Sequence, residues 1–170
     1  MRRGWDDAWA KGTEYRDTVV AKLIADRWRV ITLDELPPRN GRGPSLAGDA
    51  QQILPDLQCT KMGHTLAVEV KWKAAPTLGR LSGELEHGID RSSYDACREH
   101  EQMMPTFLLI GSGGAGERIA RITNLRVRES AIRGTPVVYF PVSQMRDNWL
   151  ATLNRHVQQR DWPRARVVTS

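Results

Sequence analysis

Hydrophobic and polar positions along the chain alternate in two periods. In KGTEYRDTVVAKLIADRW, residues 11–28, Val19, Val20, Leu23 and Ile24 fall on one face at helical spacing, which predicts a helix. WRVITL, 28–33, predicts a first strand. DELPPRNGRGPSLAGDA, 34–50, is rich in Pro, Gly and Arg and reads as a loop longer than most connections, a length that is often functional. QILPDLQCT and HTLAVEVKW flank the short turn KMG; Leu66, Val68 and Val70 alternate with Ala67, Glu69 and Lys71, as in a β-hairpin. A loop over 75–84, a helix over 88–101 and a buried strand TFLLIG, 106–111, follow. RIARITNLRVRE suggests a strand or hairpin, and PVVYF, 136–140, a further strand. The last helix is expected to begin near Ser143 as its cap, with Trp149, Leu150, Leu153 and Val157 on its apolar face. The fold class is therefore α/β: an αβββαβ core, a mixed central sheet flanked by helices, and a C-terminal helix.

Composition bounds this picture without changing it. A chain of 170 residues suits one domain over 1–170, and 40% hydrophobic with 26% charged residues is an ordinary globular balance. No apolar run approaches the roughly 18–20 residues that span a bilayer, so no membrane partner is expected. MRRGWDDAWAKG has arginines but no apolar segment, so no signal peptide is expected either. Cys59 and Cys97 form no CxxC pair and are expected as reduced thiols in a cytoplasmic protein. The net charge of +5 is uneven: residues 1–113 carry 15 Lys/Arg against 16 Asp/Glu, and residues 114–170 carry 10 Arg against 4 Asp/Glu. Guanidinium forks match phosphate oxygens, although a solvated basic face gives the same composition.

Chemistry concentrates in ILPDLQCTKMGHTLAVEVKWK, 53–73. Hairpin pairing brings Asp56 close to Glu69, and Glu69 and Lys71, two apart in a strand, share a face. Two neighbouring carboxylates repel, and one pKa rises unless a cation sits between them. A hard divalent ion such as Mg²⁺ takes oxygen ligands and can polarise a phosphodiester. A neighbouring lysine can orient the attacking water or stabilise transition-state charge. Acid, acid and lysine are what metal-assisted phosphodiester hydrolysis requires.

Pro55-Asp56 … Glu69-Val70-Lys71 resembles the PD-(D/E)XK nuclease signature in its hairpin context. The resemblance implies a restriction-endonuclease-like fold, with Asp56, Glu69 and the Val70 backbone carbonyl on Mg²⁺ (Mn²⁺ substituting) and Lys71 acting on the nucleophilic water. KGTEYRDTVVAKLIADRWRVI is similar to the opening helix and strand of archaeal-type Holliday junction resolvases, and TFLLIG and VYFPVSQM fit their later strands and the turn into the last helix. Those resolvases carry a further metal-site Glu four residues after the glycine of the first helix. Counted from Gly12, that position here is Arg16, which leaves Glu14 or Asp17 as the candidate third acid.

The expected activity is a metal-dependent DNA endonuclease, selective for branched DNA and acting as a homodimer, because a four-way junction needs two matched cuts. A restriction- or repair-type nuclease and a non-catalytic nucleic-acid-binding module are the alternatives. Arg39, Arg42, Lys73 and Arg80 are the candidate phosphate contacts, and Trp5, Trp9 and Trp149 offer apolar material for a dimer patch. His87 beside the second helix is a weaker candidate, as are Tyr94 and Gln102 on it; Asp49 is a weak rival to Asp56; His64 has no assigned role. GSGGAG, 111–116, lacks the Gly-Lys-Ser/Thr ending of a phosphate loop.

Overall fold

The computed structural model describes residues 3–33, 45–46, 52–113 and 116–159; at 3–9, 45–46 and 52–53 it describes the backbone alone. Helix α1 runs over Arg3–Ala25, earlier at both ends than its apolar spacing suggests, and Arg27 (φ 64°) turns the chain into β1, Arg29–Thr32. Two short strands follow, β2 (Ser45–Leu46) and β3 (Gln52–Ile53), paired with each other. Then come β4 (Leu57–Lys61) and β5 (His64–Lys73). Met62 and Gly63 both have positive φ, 54° and 80°, the geometry of a two-residue turn whose twist matches a hairpin.

After β5 the chain makes β6 (Thr77–Leu78), β7 (Leu85–Asp90) and α2 (Arg91–His100). It continues through β8 (Thr106–Ser112), β9 (Gly116–Arg121), β10 (Arg128–Ile132) and β11 (Thr135–Pro141) to α3 (Trp149–Gln158). Strands β1, β4, β5, β8 and β9 lie side by side in that order. Only β5 and β8 run parallel; α2 is the crossover between them. A second, antiparallel sheet has the order β10, β11, β7, β6.

Strand β8 shows why the central sheet reads as continuously apolar: each of its faces has its own core. Phe107 and Leu109 join Tyr15, Val19 and Leu23 of α1 and Trp149, Leu153 and Val157 of α3. Leu108 and Ile110 join Tyr94 and Cys97 of α2 and Val138 and Phe140 of β11. A strand buried on both sides loses the period of two. Leu109→Ala is expected to cost about 2–5 kcal/mol, because a fully buried leucine leaves a cavity that its neighbours only partly fill; urea denaturation measures it. At the end of β8 a Cβ on Gly111 would lie 2.5 Å from the Tyr15 ring, so the glycine lets α1 seat against the sheet.

Two expected elements differ. Residues 88–90, read as the start of a helix, finish β7 and pair with Val137–Tyr139 of β11. The strand is masked in the sequence because Glu86 and His87 are polar yet buried; Arg128 (2.7 Å) and Ser82 (2.9 Å) satisfy the Glu86 carboxylate. The last helix does not start at Ser143. Ile119 and Arg146 exchange both backbone hydrogen bonds at 2.8 Å, extending the edge of β9 and holding the chain out of a helix there. The cap is Asn148, whose side chain accepts from the Ala151 amide at 3.1 Å.

Candidate metal and phosphate site

The hairpin register builds the site. Leu57 pairs with Val68, and one step further Asp56 comes opposite Glu69. The two are cross-linked through the backbone: the Asp56 amide donates to Glu69 Oε2 (3.3 Å), and the Val70 amide donates to Asp56 Oδ2 (2.8 Å). Lys71 Nζ lies 2.5 Å from Glu69 Oε1. Asp56, Glu69 and Lys71 therefore converge, with the Glu69 side chain 8% exposed and that of Lys71 30% exposed. Asp56, Val70 and Lys71 line a cavity of about 280 Å³ with Gly12, Thr13 and Arg16 of α1 and Trp72.

Burial and the neighbouring Glu69 push Asp56 up to about 6, against the opposing pull of Lys71, the Val70 amide and Arg16. Burial works to lower Lys71, but Glu69 and Asp56 outweigh it and hold the ammonium charged. A carboxylate pair under this repulsion, supplying only oxygen donors, suits a hard divalent cation. Asp56 and Glu69, side by side with oxygen donors only, fit such an ion. Among the described residues no group of three or more His, Cys, Asp or Glu side chains gathers to hold a metal.

The first-helix acids lie elsewhere. Glu14 and Asp17 are exposed, and Asp17 pairs with Arg16 at 3.1 Å; neither lines the cavity. Arg16 does, at the position where the resemblance expects an acid. The sequence marked that position but gave it no role. Cys97 was also missed; buried on α2, it lies within electrostatic reach of Glu69, Lys71 and Asp56, and burial pushes its thiol up.

The remaining candidates scatter. Lys73, at the end of β5, lines a separate cavity of about 220 Å³ with His87, Asp90 and Tyr139. Burial, then the charges of Lys73 and Arg118, lowers the His87 pKa, so this imidazole is neutral at pH 7. Arg80 is exposed in the connection from β6 to β7, outside both cavities. Arg39, Arg42 and Asp49 fall outside the described residues. Tyr94 belongs to the core, Gln102 is exposed just past α2, and His64 pairs with Lys61 across the hairpin turn. GSGGAG joins two antiparallel strands and opens no helix. Trp149 is core, its Nε1 donating to Glu117 Oε2 at 2.9 Å, so it does not supply an apolar dimer patch; the side chains of Trp5 and Trp9 are not described.

No protein-family model matches the chain, and no curated protein matches it in sequence. Among solved structures it is similar to Hjc, a Holliday junction resolvase from the archaeal hyperthermophile Archaeoglobus fulgidus. The TM-score is 0.53 at 14% identity, over 83% of this chain and 94% of that one. The chain has the restriction-endonuclease-like fold of that resolvase. D212, a nuclease from a fusselovirus, gives a TM-score of 0.43 at 9% identity, over 62% of this chain and 66% of the other. Within this nuclease-like fold the expected αβββαβ order is α1, β1, β4, β5, α2 and β8. The sheet of β6, β7, β10 and β11 is built around it. Among the described residues no helix is long and apolar enough to cross a membrane.

Proposed function

We propose that the protein is a Mg²⁺-dependent DNA endonuclease, selective for branched DNA in the manner of a Holliday junction resolvase, and that it works as a homodimer. The observation that carries this is the convergence of Asp56, Glu69 and Lys71 at the β4–β5 hairpin of a resolvase-like fold. Asp56, Glu69 and the Val70 carbonyl would hold the cation. A divalent ion held there would supply Lewis-acid chemistry toward a phosphodiester. Lys71, beside Glu69, would orient the attacking water and donate to the charge that develops on phosphate oxygen. Lys71 acts in this reading as a hydrogen-bond donor, since its carboxylate neighbours keep it protonated. Glu69 itself is buried, and its electrostatic contacts are stronger there than in water.

Arginines of the described residues 116–159 would offer the DNA a surface. Arg121, Arg146 and Arg155 line one cavity of about 370 Å³, and Arg118 joins Arg146 and Arg155 in an adjoining one. With Lys73, Arg80, Arg39 and Arg42 they are the proposed phosphate contacts. Affinity is expected to fall steeply with salt, with a log–log slope that drops by about 0.9 for each phosphate contact removed, as in Arg146→Ala or Arg155→Ala. A slope unchanged in both variants removes this groove from the interface.

Cleavage of linear, flapped and four-way DNA, with strand mapping and mass by light scattering, tests the whole reading. A dimer that makes two symmetric nicks in a four-way junction supports it. Equal nicking of linear duplex by a monomer keeps the hydrolysis and removes the junction selectivity. Binding without cleavage, in Mg²⁺ or Mn²⁺, identifies a nucleic-acid-binding module instead.

A further inference from the structure

Arg16 stands one turn of α1 beyond Gly12, and the two, with Thr13, present one helix face to the cavity of Asp56 and Lys71. Its side chain is only 17% exposed, whereas that of Asp17, which accepts from Arg16 Nε at 3.3 Å and Nη2 at 3.1 Å, is 64% exposed. The guanidinium is close enough to Asp56 to stabilise its carboxylate.

Charge balance gives this placement a meaning. Among the described residues the site holds two carboxylates, Asp56 and Glu69, and two fixed cations, Lys71 and Arg16. With Asp17 paired to Arg16, these groups sum to one negative charge before any ligand enters, and a divalent ion would leave them one charge positive. That surplus suits a phosphodiester, which brings one negative charge and gathers more as the water attacks. A guanidinium offers parallel N–H donors that match two phosphate oxygens, a geometry that an ammonium lacks.

We infer that Arg16 is a phosphate-binding residue of this site, holding non-bridging oxygens of the scissile phosphate from the α1 side while Lys71 approaches from β5. The inference rests on the nuclease reading above and adds to it a substrate contact from the first helix.

Removing a cation from beside the metal ligands while also removing a substrate contact moves two observables in opposite directions. Arg16→Ala is expected to slow single-turnover cleavage about 100-fold, the effect of deleting one charge-stabilising donor. The same variant, titrated with Mn²⁺ alone at pH 8, is expected to bind the ion as tightly as wild type or several-fold tighter, because one repulsive charge is gone. Arg16→Lys, which keeps the charge and the packing stem, is expected to fall between wild type and Arg16→Ala in rate. Cleavage by Arg16→Ala at the wild-type rate overturns the inference. So does weaker Mn²⁺ binding in step with slower cleavage in both variants, the signature of a site that has only lost its shape. A wild-type protein that cuts no DNA removes the nuclease reading and this contact together, whereas active wild type with an indifferent Arg16→Ala removes the contact alone.

Discussion

Asp56→Asn is expected to abolish Mg²⁺-dependent cleavage and to leave a protein that is more stable, not less. The loss follows from removing a charged oxygen ligand. Several kcal/mol of Lewis-acid stabilisation corresponds to a rate about 10³-fold lower. The gain in stability follows from the environment of the carboxyl. Its ordinary value is 3.8, and burial with Glu69 nearby raises it to about 6. A carboxyl raised on folding holds its proton more tightly in the folded than in the unfolded chain. Below 3.8 both states are protonated and the group is neutral in the balance. As pH rises from 3.8 toward 6 the unfolded chain loses the proton first, and stability falls; above 6 the full penalty stands. In EDTA, the melting temperature of Asp56→Asn minus that of wild type should therefore open between about pH 4 and pH 6 and hold above that. Asparagine keeps an oxygen to accept from the Val70 amide, so the hairpin contact survives. Equal cleavage by wild type and Asp56→Asn would discard the site assignment. A melting-temperature gap that does not change with pH would discard the account of its electrostatics. Glu69→Gln is expected to lose cleavage in the same way, but it also gives up the ion pair to Lys71 and is not expected to gain stability.

Lys71→Met is the second large effect. It removes the donor aimed at the attacking water and developing charge, for a loss of about 10²–10³ in rate, comparable to deleting an oxyanion donor. It also leaves Asp56 and Glu69 facing each other without the cation paired to Glu69, Arg16 remaining on the α1 side of the cavity. Breaking a buried pair costs about 3–5 kcal/mol in general; here the low end applies, because the lysine side chain is partly exposed. Mg²⁺ supplies replacement charge, so its stabilisation of Lys71→Met should exceed that of wild type, measured as the shift in melting temperature between EDTA and Mg²⁺. If Mg²⁺ stabilises both equally, the lysine does not neutralise this carboxylate pair.

The order α1, β1, β4, β5, α2 and β8 was legible in the sequence, and so was the pairing that brings Asp56, Glu69 and Lys71 together. Both are local properties. Helical spacing at Val19, Val20, Leu23 and Ile24, alternation through Leu66, Val68 and Val70, and a Met-Gly turn act within a few residues of one another. A hairpin of known register then places residue 56 opposite residue 69 with no help from the rest of the chain. Features that depend on distant partners were not legible in the sequence. Strand β7 exists because β11, about fifty residues later, pairs with it, and because Arg128 neutralises the buried Glu86. The start of α3 was delayed from Ser143 to Trp149 because Ile119 takes the backbone of Arg146 into the edge of the sheet. Glu14, Arg16 and Asp17 lie within one turn of α1, and the packing of that helix, through Tyr15 against Gly111, turned the arginine rather than either acid toward Asp56. A helical wheel gives the angles between side chains, but the rotation of the helix about its axis is set by the sheet that it covers.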